Sequence, residues 1–509
     1  MNAPLRRVGV VVLVLFAMLF INLNWVQAYK ADEYRTSPYN RRVMLDEYKR
    51  QRGVIMLAGG LQLAVSSATD DELKYLRGYP EQTAQQYAHI VGYKPVNIGA
   101  SGIEQSENDF LAGTSDKLFG DRFRDLFTGE QTAGGNVLLT LSPTAQEQAF
   151  KELNGNRVGA KKGAVVALDP ATGAVKALVS MPSFDPNQLS SHDVNAAQAA
   201  YNQLLANPDK PLANRAISEI EEPGSVMKIV VAAAAMESGA NQETVLQGGA
   251  TYQAPGTSHQ IPNASGVNCP EQITLKQALT VSCNTAFARL GVDLGSKKLT
   301  DTATRFGFYQ KDVQVGRLNG KGIEAGPTVS ESVLGKLTTS SGGDDKPTIA
   351  LSSIGQASVV MTPMQGAMIA AAVANNGQQM RPYLVQQLIG ADTTSHYVAD
   401  PKPLQRSCDA AVAQNLQQMM ISVVENGTGR NARIRDIGGV VVGGKTGTAE
   451  TGDNGESSHG WFVGFALKDG QPVAAVAVFL ENAGRGGSAE AARIAQQVMR
   501  GVIADKAGN

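Results

Sequence analysis

A serine and a lysine three residues apart form the first pair whose types and spacing could carry chemistry. Ser225 and Lys228 stand at the start of an apolar, helix-compatible run that ends near residue 236. Residues three apart share one helix face, so the amine can reach the hydroxyl. A neighbouring base activates a serine, and a partly buried lysine with a lowered pKa can be that base. The pattern also fits a capping serine followed by an exposed lysine, although no other serine has lysine at the third following position.

A second serine stands two residues before an asparagine. Ser282 and Asn284 flank Cys283 in a run, residues 275–290, that the sequence predicts to be helical. A hydroxyl and a carboxamide side by side suit a site that must relay a proton and hold a peptide amide. The same spacing recurs at residues 106–108, which precede Ser225 and fall in a different predicted module, so we set that copy aside.

The third group of polar residues is a short run of lysine, threonine and glycine. Lys445, Thr446, Gly447 and Thr448 follow the apolar residues 440–444, which predicts an edge strand of a sheet. Gly447 would let a substrate backbone lie against that strand, while Lys445 and Thr448 offer a cation and a hydroxyl to a carboxylate. Taken singly, this tetrapeptide also fits a threonine-rich surface strand.

The order of these three groups along the chain resembles the signature of penicillin-binding proteins and class A β-lactamases. Taken with further segments, the chain resembles a class B penicillin-binding protein over nearly its whole length, and the PbpA branch of actinobacteria in particular. The further segments are residues 52–55, 102–104, 214–216, 355–356, 362–365, 374–377, 425–429 and 461–464. The resemblance implies a D,D-transpeptidase that cross-links peptidoglycan stem peptides, that β-lactams inhibit, and that acts in septal growth beside a membrane glycosyltransferase of the division machinery.

The resemblance also assigns catalytic roles by position. It makes Ser225 the acylated nucleophile, Lys228 its base and Ser282 a proton relay towards the leaving amine. Lys445 shapes the electrostatics near Ser282. The middle residue of the second group, Cys283, departs from the aspartate that the family often has there.

The binding roles follow from the same resemblance. Asn284 binds the stem-peptide amide, and Thr446 and Thr448, with Gly447 between them, bind the terminal carboxylate. The backbone N–H groups of Ser225 and Thr448 form the oxyanion hole. Val226, where the family more often has threonine or serine, changes no residue with an assigned role.

Two predicted hairpins frame the catalytic region and define the fold class. Strand-like residues 163–168 and 174–179 flank one turn, and residues 460–466 and 472–479 flank another. We expect the hairpins to join in one antiparallel sheet flanked by helices, with a helical lobe between them. The fold is therefore predicted to be α+β, of the penicillin-binding and serine β-lactamase type, over residues 156–509. A stalk and a smaller non-catalytic α+β pedestal of the dimerisation type occupy residues 29–155.

The first residues of the chain predict a membrane anchor. Arg6 and Arg7 precede an apolar run over residues 8–26, close to the ~20 residues that span a bilayer. Basic residues before the span place residues 1–28 as a cytoplasmic tip and a transmembrane helix, with the catalytic region outside the plasma membrane. A cleaved signal peptide is the alternative, since residues 26–28 resemble a cleavage site.

Composition removes several classes of function. The 45 Lys and Arg nearly cancel the 46 Asp and Glu, so no positive field favours nucleic acid. Five histidines and three cysteines fall in no metal-ligand spacing, which argues against a metal or another cofactor. Cys269 and Cys283 are close enough in sequence to form a disulfide outside the cytoplasm, but three reduced cysteines fit the sequence equally well.

Two rival functions share the same motifs. A β-lactamase or D,D-carboxypeptidase would differ only in letting water attack the acyl-enzyme. A penicillin-binding sensor or scaffold would be acylated without turning over. The anchor, the pedestal and the long segment between Asn284 and Lys445 favour the transferase.

Overall fold

A computed structural model describes residues 2–30, 47–118, 133–319, 322–450 and 458–507 of the chain. The strands are β1 Ile55–Leu57, β2 Gln62–Ala68, β3 Tyr75–Gly78, β4 Asn136–Leu139, β5 Gly163–Leu168, β6 Val175–Met181, β7 Val245–Gln247, β8 Thr251–Gln253, β9 Gln260–Pro262, β10 Gln272–Thr274, β11 Arg317–Asn319, β12 Gly322–Ala325, β13 Gln378–Met380, β14 Val385–Ile389, β15 Ser395–Val398, β16 Pro403–Arg406, β17 Val440–Glu450, β18 Ser458–Lys468 and β19 Gln471–Leu480. The helices are α1 Asn2–Asn24, α2 Ala84–Val91, α3 Gly102–Ser106, α4 Asn108–Leu111, α5 Pro143–Asn154, α6 Val194–Ala206, α7 Arg215–Ser218, α8 Lys228–Glu237, α9 Leu275–Val281, α10 Asn284–Arg305, α11 Lys346–Ser352, α12 Pro363–Ala374, α13 Ala410–Asn426 and α14 Gly487–Ala507.

The two predicted hairpins join as expected. The order of the five-stranded antiparallel sheet is β17, β18, β19, β5 and β6, and the hairpins meet where β19 pairs with β5. Successive side chains of a strand point to opposite faces. Val166 and Trp461 therefore enter a core with α8 and α12, while Val165 and Phe462 enter a second core with α5 and α14. Helices thus cover both faces of the catalytic sheet, which confirms the predicted fold.

The N-terminal sheet has six strands in the order β15, β14, β4, β1, β2 and β3. Two of them, β14 and β15, come from the later part of the segment between the catalytic hairpins. Strand β14 pairs with β4, so the buried Val137 and Leu139 do not lie at an open edge. That segment is therefore more than a helical lobe, because part of it completes the pedestal sheet.

Helix α5 links the two regions. Ser142 caps it by accepting a hydrogen bond from the Ala145 N–H at 3.1 Å. Gln146 exchanges two hydrogen bonds with the backbone of Leu178 in β6. The apolar face of α5 shares a core with α14. A domain boundary near residue 155 stays a prediction, and the helix before it packs on the catalytic sheet.

The apolar N-terminal run forms a helix. Among the described residues, Arg6–Tyr29 is the one helix long and apolar enough to cross a membrane, and the rest of the described chain buries none of it. Its large apolar side chains, such as Phe16 and Leu19, are exposed. The length fits a membrane span, and a signal sequence has the same properties.

Candidate active site

The serine predicted to be the nucleophile lies on a tight turn. A single 3-10 turn, Gly224–Met227, leads directly into α8, so Ser225 and Lys228 are one turn apart. Gly224 has φ of +52°, and a Cβ there would lie 2.3 Å from the Thr448 carbonyl oxygen. Only glycine fits a left-handed position against another backbone so closely. The turn therefore brings the backbone of Ser225 beside that of Thr448 on β17.

Two more contacts hold this turn against the catalytic sheet. The Trp461 indole N–H donates to the Glu222 carbonyl at 2.9 Å. A Cβ on Gly447 would lie 2.4 Å from the Pro223 carbonyl oxygen, so a side chain at that position would push the turn away. The structure thus gives Gly447 a packing reason to be glycine, and its contact with a substrate backbone stays a prediction.

Lys228 is completely buried, and its amine faces the second motif. Its Nζ lies 2.8 Å from the Ser282 carbonyl oxygen, 3.2 Å from Ser282 Oγ and 2.7 Å from Asn284 Oδ1. Burial, with the nearby charge of Lys445 second, holds the Lys228 pKa well below its usual range. In the described part of the chain no hydrogen bond joins it to the Ser225 hydroxyl. The sequence predicted that the amine could reach that hydroxyl. In the structure the hydrogen-bond partners of the amine are Ser282 and Asn284.

Lys445 approaches Ser282 from the opposite side. Its Nζ donates to Ser282 Oγ at 2.8 Å and to the Thr446 carbonyl at 3.0 Å. The side chain is fully buried in β17, and this burial lowers the Lys445 pKa to about 7. Ser282 therefore joins two buried lysine amines, and neither pKa has a carboxylate among its causes.

The backbone at Ser282 differs from the sequence prediction. Residues 275–290 were expected to form one helix, but α9 ends at Val281 and α10 begins at Asn284. Ser282 lies between them with φ of +64°, in the left-handed region. The prediction was wrong here because tertiary contacts override the local helical preference. The break turns the Ser282 side chain towards both lysines.

One of those tertiary contacts is covalent. Cys269 and Cys283 form a disulfide, which the sequence had left open, and Cys408 is a buried free thiol. Cys283 is the middle residue of the second motif. The disulfide therefore ties the segment before β10 to the helix break that carries Ser282 and Asn284.

The predicted site residues surround one open cavity of about 530 Å³. Ser225, Ser282, Asn284, Thr446 and Thr448 line it, whereas Lys228, Lys445 and Gly447 lie behind its wall. The other lining residues are His259, Gln260, Ile261, Pro262, Asn263, Ala264, Ser265, Val267, Leu351, Ile354, Gln356, Thr428 and Ser488. The three motifs are therefore brought together as the sequence predicted.

Sequence reasoning gave no role to two lining residues that contact the motifs directly. The Thr428 and Thr446 hydroxyls lie 2.6 Å apart, and the Asn263 side chain accepts from the Asn284 N–H at 2.8 Å. Thr428 belongs to a segment that carried the family resemblance, residues 425–429, which was a usable signal. Nothing in the sequence near Asn263 points to this contact.

The described residues contain no group of three or more His, Cys, Asp or Glu side chains that could hold a metal ion. The chemistry available at the cavity is that of a serine hydroxyl, two buried amines, a carboxamide and several threonine hydroxyls. Such a set can form and break an ester on serine.

This fold and site define a class of protein, and comparisons with known families agree. The profile described as penicillin binding protein transpeptidase domain matches residues 163–500, and the profile described as penicillin binding protein A dimerisation domain matches residues 52–137. The chain therefore belongs to the penicillin-binding proteins. It is a serine-type D,D-transpeptidase of class B, the class without a glycosyltransferase domain.

Two relatives named PbpA match almost the whole chain. The chain is 38% identical to the peptidoglycan D,D-transpeptidase PbpA of Mycolicibacterium smegmatis, over 99% of both chains. It is also 38% identical to PbpA of Mycobacterium tuberculosis, over 99% of this chain and 98% of the relative. A solved structure of M. tuberculosis penicillin-binding protein A, a ceftriaxone acyl-enzyme complex, superposes with a TM-score of 0.82 at 36% identity, over 90% of this chain and 100% of that one.

Proposed function

We propose that Ser225 is the residue acylated by a D-Ala-D-Ala stem peptide, and that the acyl group then passes to an amine of a neighbouring stem peptide. The observation that carries the proposal is the buried pair of lysines joined by Ser282 beside the Ser225 turn. A buried amine without a carboxylate partner resists protonation, and a neutral amine is a base. The similarity to peptidoglycan transpeptidases supports the choice of substrate.

In the first step, Ser225 Oγ attacks the carbonyl carbon of the penultimate D-Ala. The hydroxyl proton passes to Lys228, which tightens onto Oγ once substrate is bound. The negative charge that develops on the carbonyl oxygen is held by the N–H groups of Ser225 and Thr448, and Gly224, the residue before Ser225, packs against the Thr448 backbone. Lys228 then returns the proton through Ser282 to the nitrogen of the departing D-Ala, and an ester remains on Ser225.

Recognition of the donor uses the rest of the cavity wall. Thr446 and Thr448 hold the terminal carboxylate, and the Thr428 hydroxyl orients that of Thr446. Asn284 Nδ2 donates to the Pro262 carbonyl at 3.0 Å and keeps a second hydrogen for the stem-peptide amide. Lys445 is buried and donates to Ser282, so it acts on the relay directly and on the carboxylate through space.

In the second step, the acceptor amine attacks the ester carbonyl. Lys228 takes the proton of that amine, a new amide forms, and Ser225 regains its proton as it leaves. A transferase must keep water unproductive during the wait, because each hydrolysis wastes a donor. The site contains no carboxylate positioned as a second base among the described lining residues, which favours transfer over hydrolysis.

Labelling with penicillin tests the nucleophile. Detergent-solubilised full-length protein, incubated with penicillin and analysed by intact-mass spectrometry, should gain one penicilloyl group that maps to Ser225. Ser225→Ala should gain none, whereas Ser238→Ala, an exposed serine at the far end of α8, should react like the wild type. Labelling of the Ser225→Ala protein would refute the assignment.

The lifetime of the adduct separates a transferase from a hydrolase. After free penicillin is removed, we expect the added mass to persist while no catalytic turnover of penicillin is seen. A stem-peptide donor with an acceptor amine should give a cross-linked product whose formation depends on Ser225. Loss of the adduct within seconds, with steady accumulation of hydrolysed penicillin, would make the chain a β-lactamase.

We also propose that Arg6–Tyr29 anchors the protein once in the plasma membrane with the catalytic domain outside. Its length, its exposure and the two arginines before its apolar part support this. The protein should stay in membranes washed with alkaline carbonate, and external protease should digest the catalytic domain in spheroplasts. Release of a shortened mature chain would indicate a cleaved signal peptide. A chain lacking residues 1–28 should remain soluble and bind penicillin.

The cellular role is proposed from the family resemblance. We expect the chain to act in septal wall synthesis beside a membrane glycosyltransferase of the division machinery, with the region of residues 29–155 as the docking or dimerisation element. The match of residues 52–137 to a penicillin binding protein A dimerisation domain supports the second part. A fluorescent fusion should collect at septa, and an even distribution along the side wall would contradict the septal role.

A further inference from the structure

We propose that Asn263 is a positioning residue for the transpeptidase reaction, acting through Asn284 to place the Lys228 amine. The inference rests on the proposed function of Ser225 and Lys228 and extends it to a loop outside the three motifs. Asn263 directly follows β9, lines the cavity and hydrogen-bonds the second motif at Asn284.

Asn263 caps the start of helix α10 from outside that helix. Its Oδ1 accepts from the N–H of Asn284 at 2.8 Å and from the N–H of Thr285 at 3.2 Å. Its Nδ2 donates to the Gly249 carbonyl at 2.9 Å, which fixes the carboxamide. The first N–H groups of a helix have no partner within the helix, and this side chain satisfies two of them at the start of α10. Asn284 is the first residue of α10.

The same loop holds the Asn284 side chain. Asn284 Nδ2 donates to the Pro262 carbonyl at 3.0 Å, and its Oδ1 accepts from Lys228 at 2.7 Å. Adjacent residues Pro262 and Asn263 thus fix both the backbone and the carboxamide of Asn284. The carboxamide in turn provides an acceptor for the Lys228 amine. Displacing Asn284 would leave that amine with Ser282 as its remaining hydrogen-bond partner among the described residues.

The other end of the loop is attached to the same point. The Cys269–Cys283 disulfide joins the residue just before Asn284 to the end of the segment that Asn263 begins. The segment between them lines the cavity through Ala264, Ser265 and Val267. Both ends of the segment are therefore attached to neighbouring residues of the second motif. The disulfide is the covalent attachment, to Cys283, and the Asn263 hydrogen bond to Asn284 is the non-covalent one. Because Asn263 also lines the cavity, its effect on ligand binding must be separated from its effect on the chemical step.

The test uses the full-length protein in detergent and measures penicillin acylation of Ser225 as a function of penicillin concentration and of pH. Asn263→Ala should lower the limiting acylation rate about tenfold, as expected for losing hydrogen bonds that orient a base, with a smaller change in the penicillin concentration at half-maximal rate. The midpoint of its pH profile should move to lower pH, because the Lys228 ammonium loses an acceptor. The charge of Lys445 also lowers the Lys228 pKa and therefore affects the midpoint, but Lys445 is unchanged in the variant.

Two matched variants interpret the result. Asn263→Asp keeps the acceptor for both N–H groups but loses the donor to the Gly249 carbonyl, so its limiting rate at high pH should exceed that of Asn263→Ala, with a midpoint at higher pH from the added negative charge. Asn268→Ala removes an exposed asparagine of the same loop and should match the wild type in rate, midpoint and melting temperature.

The inference is overturned if Asn263→Ala keeps the wild-type limiting rate and midpoint, or if it lowers the melting temperature and rate without moving the midpoint, which would indicate a purely structural role. A limiting rate of Asn263→Asp at high pH no higher than that of Asn263→Ala would also overturn it. These outcomes are distinct from failure of the proposed function, in which the wild type itself would not be acylated at Ser225.

Discussion

The N-terminal sheet and the active site each bury charged side chains completely, with different neighbours. In the N-terminal region, Glu104 accepts from Arg52 at 2.7 Å and from Arg77 at 2.5 Å. Burial alone would raise the Glu104 pKa, but the two guanidinium groups outweigh it and hold that pKa below its usual value. In the active site, Lys228 and Lys445 face the same hydroxyl, and their neighbours include no opposite charge that shifts either pKa.

The difference separates a structural cluster from a catalytic one. The two arginines keep Glu104 ionised, so this carboxylate fixes the fold and has no proton to exchange near neutral pH. Burial disfavours the charge on both amines around Ser282, so the pair releases a proton and gains a base. Enzymes place such unfavourable groupings where the chemistry needs them, and the rest of the fold must stabilise them.

The largest expected effect comes from removing the base. Lys228→Ala should slow acylation of Ser225 by about 10²–10⁴-fold, the usual cost of losing a general base. Stopped-flow or quenched labelling with penicillin measures the rate, and Lys298→Ala, an exposed lysine on α10, is the control. A Lys228→Ala protein that acylates at the wild-type rate would transfer the base role to another residue, with Lys445 first in line.

The next largest effect should be a loss of folding stability, with acylation of Ser225 unchanged in the folded protein. Glu104→Gln removes the charge that both arginines share, and breaking a buried ion pair on one side costs about 3–5 kcal/mol. Urea unfolding should register this loss, while the folded protein should be acylated with the wild-type pH profile. A change in the acylation midpoint would mean that the two buried clusters are coupled and that the contrast drawn between them is wrong.

Reducing the Cys269–Cys283 disulfide should loosen the active-site cluster of Lys228, Ser282 and Lys445, which opposite charges do not stabilise. In the chain-entropy model, a bridge between residues 14 apart in sequence contributes about 3 kcal/mol. Reduction should lower the melting temperature and slow acylation, whereas Cys408→Ala should leave the effect of reductant on acylation unchanged. Thiol titration of the denatured, unreduced chain should find one free thiol, and three would refute the bridge.

A smaller effect should appear in the pH dependence of stability. The pKa of Lys445 is about 7 when folded and that of lysine is about 10.4 when unfolded, so between these values the unfolded chain binds more protons. The contribution of Lys445 titration to the free energy of unfolding is complete above the unfolded pKa. It is lost as the pH falls towards 7, by about 1.4 kcal/mol per pH unit. Lys445→Met should therefore show a shallower rise of unfolding free energy between about pH 7.5 and 9 than the wild type. Equal slopes would mean that Lys445 stays charged in the folded protein.

The sequence predicted what depends on local spacing. One helical turn brings Ser225 near Lys228, and the apolar residues before Lys445 form the edge strand β17 as expected. The hairpins and their union into one sheet followed from period-two patterns and turn residues. These features need only a few consecutive residues, and the family resemblance supplied their order.

Features that depend on contacts between distant segments were missed or left open. The left-handed Ser282 interrupts a run with helical preference because a disulfide and the Asn263 cap act from outside that run. Strands β14 and β15 join a sheet whose other four strands lie far earlier in the chain. Thr428 reaches Thr446 across a shorter separation of 18 residues. No local pattern encodes such pairings, since each is decided by the packing of the whole domain.

The pH dependence of Ser225 acylation tests the account most directly. The limiting rate for wild-type protein and penicillin should rise with pH and level off with a midpoint well below the usual lysine pKa of about 10.4, because burial and Lys445 keep Lys228 neutral. Lys445→Met should move the midpoint upward by removing the like charge. A wild-type rate that rises only near the usual lysine pKa, or a midpoint indifferent to Lys445, would contradict the claim that two buried amines around Ser282 create the base.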